Sequence, residues 1–451
     1  MGTTPDNSLI KKTLKYSIID GSFAASMIGF GESFFPAFAV FLMASNIELA
    51  LLTSVPLFLG SLVQLFSHAL LRRLRSRKKL VSSMALLQGL MYIPILLVFF
   101  HGEHRVLYLI LFACLYWIFG MILSPAWNSW MGDLVNEKER GSYFGKRNKI
   151  TGSVSFLSYV AAGLILHSYP SDRGSEYLGF VTIFLFAMSS RIFSYRYLRK
   201  KFEPPYESQS KPEFTFLDFI REARFRNYGR FVLYLSLMNF SVYMAAPFFV
   251  PYMLKDLHLD YMSFTVVNAA AIVVKFLAMP VWGKASDQFG TKKILSLTGF
   301  LMPCVSLLWV ISGDFYYLVA IQMYAGFVWA GFELSAFNFV FDTTTPKNRS
   351  TVIAYYNVLN GICIFAGSVI GGMIVKYNTL FWSKYFLVFI LSTGIRYIAS
   401  FLFIPKLKEV RIVEAIPYSR LFFKIIRTMP TAGVVFSLIP FQKRRSREDD
   451  T

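Results

Sequence analysis

Apolar runs of 18 or more residues recur along nearly the whole chain, and no other feature restricts its fold as much. As a helix, a run of that length crosses the roughly 30 Å hydrocarbon core of a bilayer. Composition agrees. Of 451 residues 55% are hydrophobic and 16% charged, with a mean hydropathy of +0.49, so a water-soluble fold would leave too much apolar surface uncovered. The expected class is an all-α integral membrane protein with no soluble domain between its spans.

The net charge of +20 would suit nucleic acid, but the basic residues are distributed by loop rather than gathered on one face, which argues against that partner. Their placement gives a topology instead. With both termini cytoplasmic, 38 Lys and Arg fall inside, at the N-terminal arm, Arg72 to Lys79, Lys138 to Lys149, Arg196 to Arg230, Lys284 to Lys293, Lys347 with Arg349, and after Lys406. Five fall outside, and Arg191, Lys275 and Arg396 lie within apolar spans. The positive-inside rule predicts this asymmetry, and an even number of spans follows. Cys114, Cys304 and Cys363 are scattered through apolar spans, too few for a disulfide framework or a metal cluster. No metal and no cofactor is expected.

Hydropathy and loop charge place helices near 16–44, 47–71, 80–100, 106–134, 150–169 and 176–198, then 227–254, 261–282, 292–312, 314–341, 352–377 and 380–405. The domains expected are a six-helix bundle over 1–198, a cytoplasmic linker over 199–226, a second bundle over 227–405 and a basic cytoplasmic tail over 406–451. Without an Ala-x-Ala cleavage signal, the first span should be a retained helix. Phe214 to Arg226 and Arg420 to Arg427 alternate Phe, Leu and Ile with charge at helical spacing, which predicts helices lying on the lipid surface.

An internal repeat supports the division into halves. At a constant offset of 209, Asp133 matches Asp342, Arg140 matches Arg349, Asn148 matches Asn357 and Gly152 matches Gly361. Arg191 and Arg396 occupy comparable depths in the sixth and twelfth spans. Two six-helix halves in parallel repeat are a known transporter architecture.

At the end of the eighth span the chain runs Gly283-Lys-Ala-Ser-Asp287-Gln-Phe-Gly290-Thr-Lys292-Lys293. This resembles the G-x-x-x-D-x-x-G-x-K/R-K/R signature of the major facilitator superfamily, and the span count, long central loop and half-repeat extend the likeness over essentially the whole chain. The resemblance implies twelve helices in two pseudo-symmetric bundles, a monomer in the bacterial inner membrane, and a cytoplasmic gate at this motif in which Asp287 pairs with a helix N-terminus or a basic residue. Asp133 with Arg140 and Asp342 with Arg349 resemble the family's loop between fourth and fifth helices and would add gate contacts. The first-half copy has Ala69 and Arg73 where Gly and Asp belong, so Arg72 to Lys79 is either part of an asymmetric gate or a topology anchor.

An ionisable group at mid-membrane costs at least about 2.5 kcal/mol. Glu32 is the clearest case, and helical spacing puts it on a small stripe with Ala25, Gly29 and Pro36. Such a stripe would admit water or substrate beside a carboxyl suited to carrying a proton. Lys275 and Glu333 are expected partners, because the family lines its cavity with helices 1, 4, 7 and 10, helped by 2, 5, 8 and 11. A Lys-Glu pair spanning the halves would be a switch that protonation or substrate could open, and a plain buried ion pair is the alternative. Arg191 and Arg396 would contact substrate, snorkel or brace their halves. Asn128, Trp127, Asn239 and Tyr243 are uncharged cavity candidates, and Gly367 with Gly371 predicts close helix packing.

These residues predict a secondary transporter of a small solute, its class left open, coupled to the proton gradient and working by alternating access among membrane lipids. No nucleotide-binding G-x-x-x-x-G-K-[ST] loop occurs, which removes an ATP-driven pump. The other classes are a membrane-embedded enzyme acting on a lipid-linked substrate through Glu32, Asp133 or Glu333, and a transporter-like sensor or lipid translocase on the same fold.

Overall fold

The computed structural model describes residues 7–136, 139–170, 172–205, 216–223, 225–343 and 349–410, and among them every regular element is helical. Twelve helices are long and apolar enough to cross a membrane: α1 (Ser8–Phe41), α2 (Asn46–Gln64), α3 (Arg77–Phe100), α4 (Gly102–Leu134), α5 (Ser142–Ser168), α6 (Arg173–Lys200), α7 (Asn227–Asp256), α8 (Tyr261–Phe289), α9 (Thr291–Leu308), α10 (Phe315–Val340), α11 (Tyr355–Tyr377) and α12 (Phe386–Lys406). All twelve expected spans are present. Helices α1 and α5 begin about two turns earlier than expected, because hydropathy discards the Lys-rich turns that carry a helix beyond the apolar layer. Those turns hold each other, with the Tyr143 hydroxyl donating to the Leu14 carbonyl at 3.1 Å.

The two sets of six helices pack by one pattern. In the first set α1 lies against α5 and α6, α4 against α2 and α3, and α3 against α6; in the second, α7 lies against α11 and α12, α10 against α8 and α9, and α9 against α12. The sets meet along two seams, α2 on α11 and α5 on α8. Both seams close on glycines related by the offset of 209. Gly152 faces Phe276 and Gly163 faces Thr265 on one, while Gly361 faces Phe58 and Ser61 and Gly372 faces Ile47 and Ala50 on the other. Without a hydrophobic driving force between helices in lipid, such close approach is what holds them.

Gly367 and Gly371 do pack closely, letting α11 reach the carbonyls of Phe240 and Met244 on α7. An alanine Cβ at 367 would lie 2.9 Å from the Phe240 carbonyl carbon, and a backbone atom cannot rotate away. Gly367→Ala should therefore cost about 1–3 kcal/mol as overpacking and lower the melting temperature of the purified protein. Gly394→Ala meets nothing within 4 Å and serves as the control; equal melting of the two variants would refute the packing account.

The end of the molecule away from the linker is tied across the halves. Lys255 Nζ donates to the Ala44 carbonyl at 2.8 Å, Tyr385 donates to Asn46 at 3.1 Å, Tyr261 donates to Glu176, and His167 Nδ1 lies 3.0 Å from Asp260. Nearer the linker the described cross-half contacts are sparser, among them Asn357 Nδ2 donating to Gln64 at 3.3 Å. Among the described residues α1 and α7 meet most closely at their far ends. Among the described residues the ties across the halves thus gather at the far end.

A short linker helix, Phe216–Ala223, buries Phe219 among Tyr228 of α7 and Tyr355 of α11, and turns Leu217 and Ile220 outward. The second amphipathic segment, Arg420 to Arg427, lies outside the described residues.

Candidate functional site

The site begins with a break in α1. The helix stops at Phe30, Gly31 turns, Glu32–Phe34 form one 3-10 turn, and the α-helix resumes at Phe35 with Pro36 in its first turn. Proline has no N–H to donate back across the break. Glu32 is half-buried as a residue, and its carboxylate accepts a 2.8 Å hydrogen bond from Tyr116 of α4. Arg191 of α6 and Tyr243 of α7 lie within electrostatic reach of it, so the carboxylate senses both halves. Behind it Phe35, Tyr92, Tyr116 and Phe184 stack edge to face or tilted at 5.3–5.8 Å, a rigid apolar wall.

This corrects the expected stripe. Regular spacing fails across the break, and Gly29 faces the backbone of Ser155 and the Ser158 side chain, so it serves the α1–α5 contact and opens no space beside the carboxylate. The break, not a small stripe, sets where the Glu32 carboxylate points, and it places it against Tyr116.

Lys275 and Glu333 are partners, with Nζ 2.6 and 2.7 Å from the two carboxylate oxygens and both side chains partly exposed. Both lie in the second bundle, where α8 and α10 run side by side, Asn268 meeting Gln322 and Ala271 meeting Gly326 one row away, so this pair sits within one half, while the Glu32 carboxylate has Tyr116 as its hydrogen-bond partner. Asn239 of α7 donates to Asn360 at 2.8 Å and to Tyr356 at 3.3 Å, both on α11. Asn128 is exposed on α4 beside Trp127.

Arg191 and Arg396 are buried, 6% and 2% exposed, inside their own bundles. Each donates to a serine of its own helix, Ser194 and Ser392, and each keeps an Nε without an acceptor. Both are too enclosed to snorkel.

At the linker end, Gly290 adopts φ 94° to end α8; in the first half the left-handed residue is Arg75, φ 48°, one place before Ser76, which aligns with Gly290. Gly283 and Asp287 lie in the last two turns of α8. Lys292 and Lys293 open α9, where the Lys292 amide donates to Glu409 at 2.8 Å. Asp133 is held by Arg77, itself 1% exposed. The side chains of Arg140, Asp342 and Arg349 lie outside those described.

Sequence reasoning missed Glu203 and Glu409. Glu203 accepts from Ser76 and from the Arg77 and Lys78 amides at the start of α3, and Glu409 accepts from the Lys292 amide at the start of α9, so the chain after each sixth helix returns a carboxylate to the positive N-terminus of the third. A buried ion pair between Asp20 of α1 and Lys201 was missed as well. Its signal was present, since Asp20 is an acidic residue inside an apolar span.

The sequence model described as Major Facilitator Superfamily matches residues 21–274 and 231–441. Two curated proteins are similar over shorter stretches. An MFS-type transporter of Aspergillus terreus is 25% identical over 128 residues, 28% of this chain and 23% of its own length, and solute carrier family 22 member 18 of Rattus norvegicus is 29% identical over 141 residues, 30% and 32% respectively. The matched region thus spans a third or less of either relative. Among solved structures, a bacterial homologue of the human lysosomal transporter Spinster, inward-facing and occupied, superposes with a TM-score of 0.64 at 13% identity, covering 94% of this chain and 99% of that one. A bacterial homologue of the iron transporter ferroportin in its inward-facing state gives 0.63 at 12% identity, covering 89% and 99%, and the nucleoside transporter NupG gives 0.62 at 14%, covering 89% and 99%.

Proposed function

The chain belongs to the major facilitator superfamily, and from that premise we propose that it is a secondary active carrier of a small solute, alternating access between its two halves and drawing on the proton gradient. The observation that carries this is Glu32: an ionisable carboxyl at a helix break in mid-span, hydrogen-bonded to Tyr116 and within reach of Tyr243 on the opposite half. A proton gained or lost there changes the field felt by both halves, and a group with different interactions in two states is what shifts an equilibrium between them. Lys275 with Glu333, and Asn239, are further groups for the solute. The linker side is assigned to the cytoplasm, where the Lys and Arg of the linker and loops accumulate; with the described ties between the halves gathered at the other end, we read the conformation as inward-facing, in a cell-membrane carrier that acts as a monomer.

The test is purified protein in sealed vesicles with an imposed pH gradient. Accumulation of a small solute that collapses with the gradient is the expected result. Turnover of a lipid-linked substrate without transport would overturn the proposal in favour of an enzyme, and lipid exchange between leaflets would favour a translocase.

A further inference from the structure

Resting on the carrier reading, we propose that Arg147 and Trp127 form a subsite for an oxyanion group, a carboxylate or phosphate, of the transported solute. Arg147 leaves α5 and crosses α1 at Gly21 to stack on Trp127 of α4, its guanidinium carbon 4.4 Å from the ring centre. Its Nε donates to the Ser17 carbonyl at 3.3 Å, and among the described residues its two terminal nitrogens have no acceptor. The stacked face and the Nε contact fix the plane of the fork, so the terminal N–H groups are held in the geometry that binds an oxyanion with two hydrogen bonds.

The local charge is unbalanced in the same sense. Lys201 is fully buried and takes the Asp20 carboxylate, and its ammonium lies 5.9 Å over the same Trp127 ring and within electrostatic range of Arg147. Two cations share one carboxylate, and that carboxylate is committed to Lys201. An anionic ligand entering there meets a net positive field that the one committed carboxylate does not cancel. The place fits, because Ser17 and Gly21 lie in the linker half of α1, and Arg147, Trp127 and Asn128 are all at least partly exposed there.

Gly21 gives the arrangement a second handle. A Cβ at 21 would fall 2.9 Å from the guanidinium carbon, so Gly21→Ala displaces the fork and leaves its charge in place.

The experiment uses the full chain in neutral phosphatidylcholine nanodiscs, with thermal melting read against sodium benzoate, sodium succinate and inorganic phosphate, and sodium chloride as the ionic-strength control. The expected result is saturable stabilisation by at least one of the three oxyanions, with half-saturation raised about tenfold or more in Arg147→Lys, which keeps the charge and loses the fork, and similarly in Arg147→Gln and Gly21→Ala. Stabilisation of the wild type by none of the three overturns the proposal, as does wild-type binding by Arg147→Lys. Stabilisation only when phosphatidylglycerol is added assigns the fork to a lipid headgroup and equally overturns it. Gradient-driven accumulation of a solute lacking an oxyanion, undiminished in Arg147→Gln, overturns this subsite while leaving the carrier reading intact.

Discussion

Glu32→Gln is expected to abolish accumulation driven by a pH gradient, bringing the ratio of internal to external solute down to one, while exchange of labelled for unlabelled solute continues. Glutamine has the shape of glutamic acid and keeps a carbonyl oxygen to accept the Tyr116 hydroxyl, so the break in α1 and its aromatic wall should persist, but an amide cannot give up or regain a proton at any working pH. What is lost is the link between proton and solute. Exchange needs only binding and the rocking of the halves, so it separates coupling from folding and from affinity. Undiminished accumulation in Glu32→Gln would sink the coupling role outright, and parallel loss of exchange would move Glu32 into binding the solute.

The second large effect concerns Lys275 and Glu333. Glu333→Gln leaves a lysine ammonium in the membrane interior without its carboxylate, and Lys275→Met leaves the reverse. Removing one partner of a fully buried pair costs about 3–5 kcal/mol. Here both side chains are about a third or more exposed, so about 1–2 kcal/mol is the proper scale, enough to lower the melting point and, if the same energy is lost from the transport cycle, to slow transport about five- to thirtyfold. The double exchange Lys275→Glu with Glu333→Lys restores the pair with its ends reversed. Restored melting without restored transport is expected for charges that face the solute, and full recovery of both would reduce the pair to a brace between α8 and α10.

The sequence disclosed the fold more completely than the site, for physical reasons visible at single residues. Crossing a bilayer demands length and apolarity, which are properties of consecutive residues, so α1 to α12 could be counted without knowing a contact. The repeat was legible because Gly152 and Gly361 are kept by equivalent seams. Glu32 could be singled out, since a carboxyl in an apolar run is rare, but its surroundings could not. The reading of a small stripe assumed an unbroken α-helix, and the turn at Gly31 cancels that assumption. Lys275 and Glu333 are separate helices' residues, and nothing in hydropathy says whether α8 pairs with α10 or faces the other half. Glu203 was hidden by its setting: in Phe-Glu-Pro-Pro it has the composition of a loop, although it folds back onto the start of α3.

The break in α1 has a counterpart in α7, where Ala246–Phe248 makes the same 3-10 turn, and that turn holds alanine, proline and phenylalanine. If Glu32 alone carries the proton, as proposed, only one of the two breaks titrates, and the carrier would move one proton per cycle. One pH unit is worth about 1.36 kcal/mol per proton, so for an uncharged solute each unit of gradient sustains about a tenfold concentration ratio, and the dependence on proton concentration is first order.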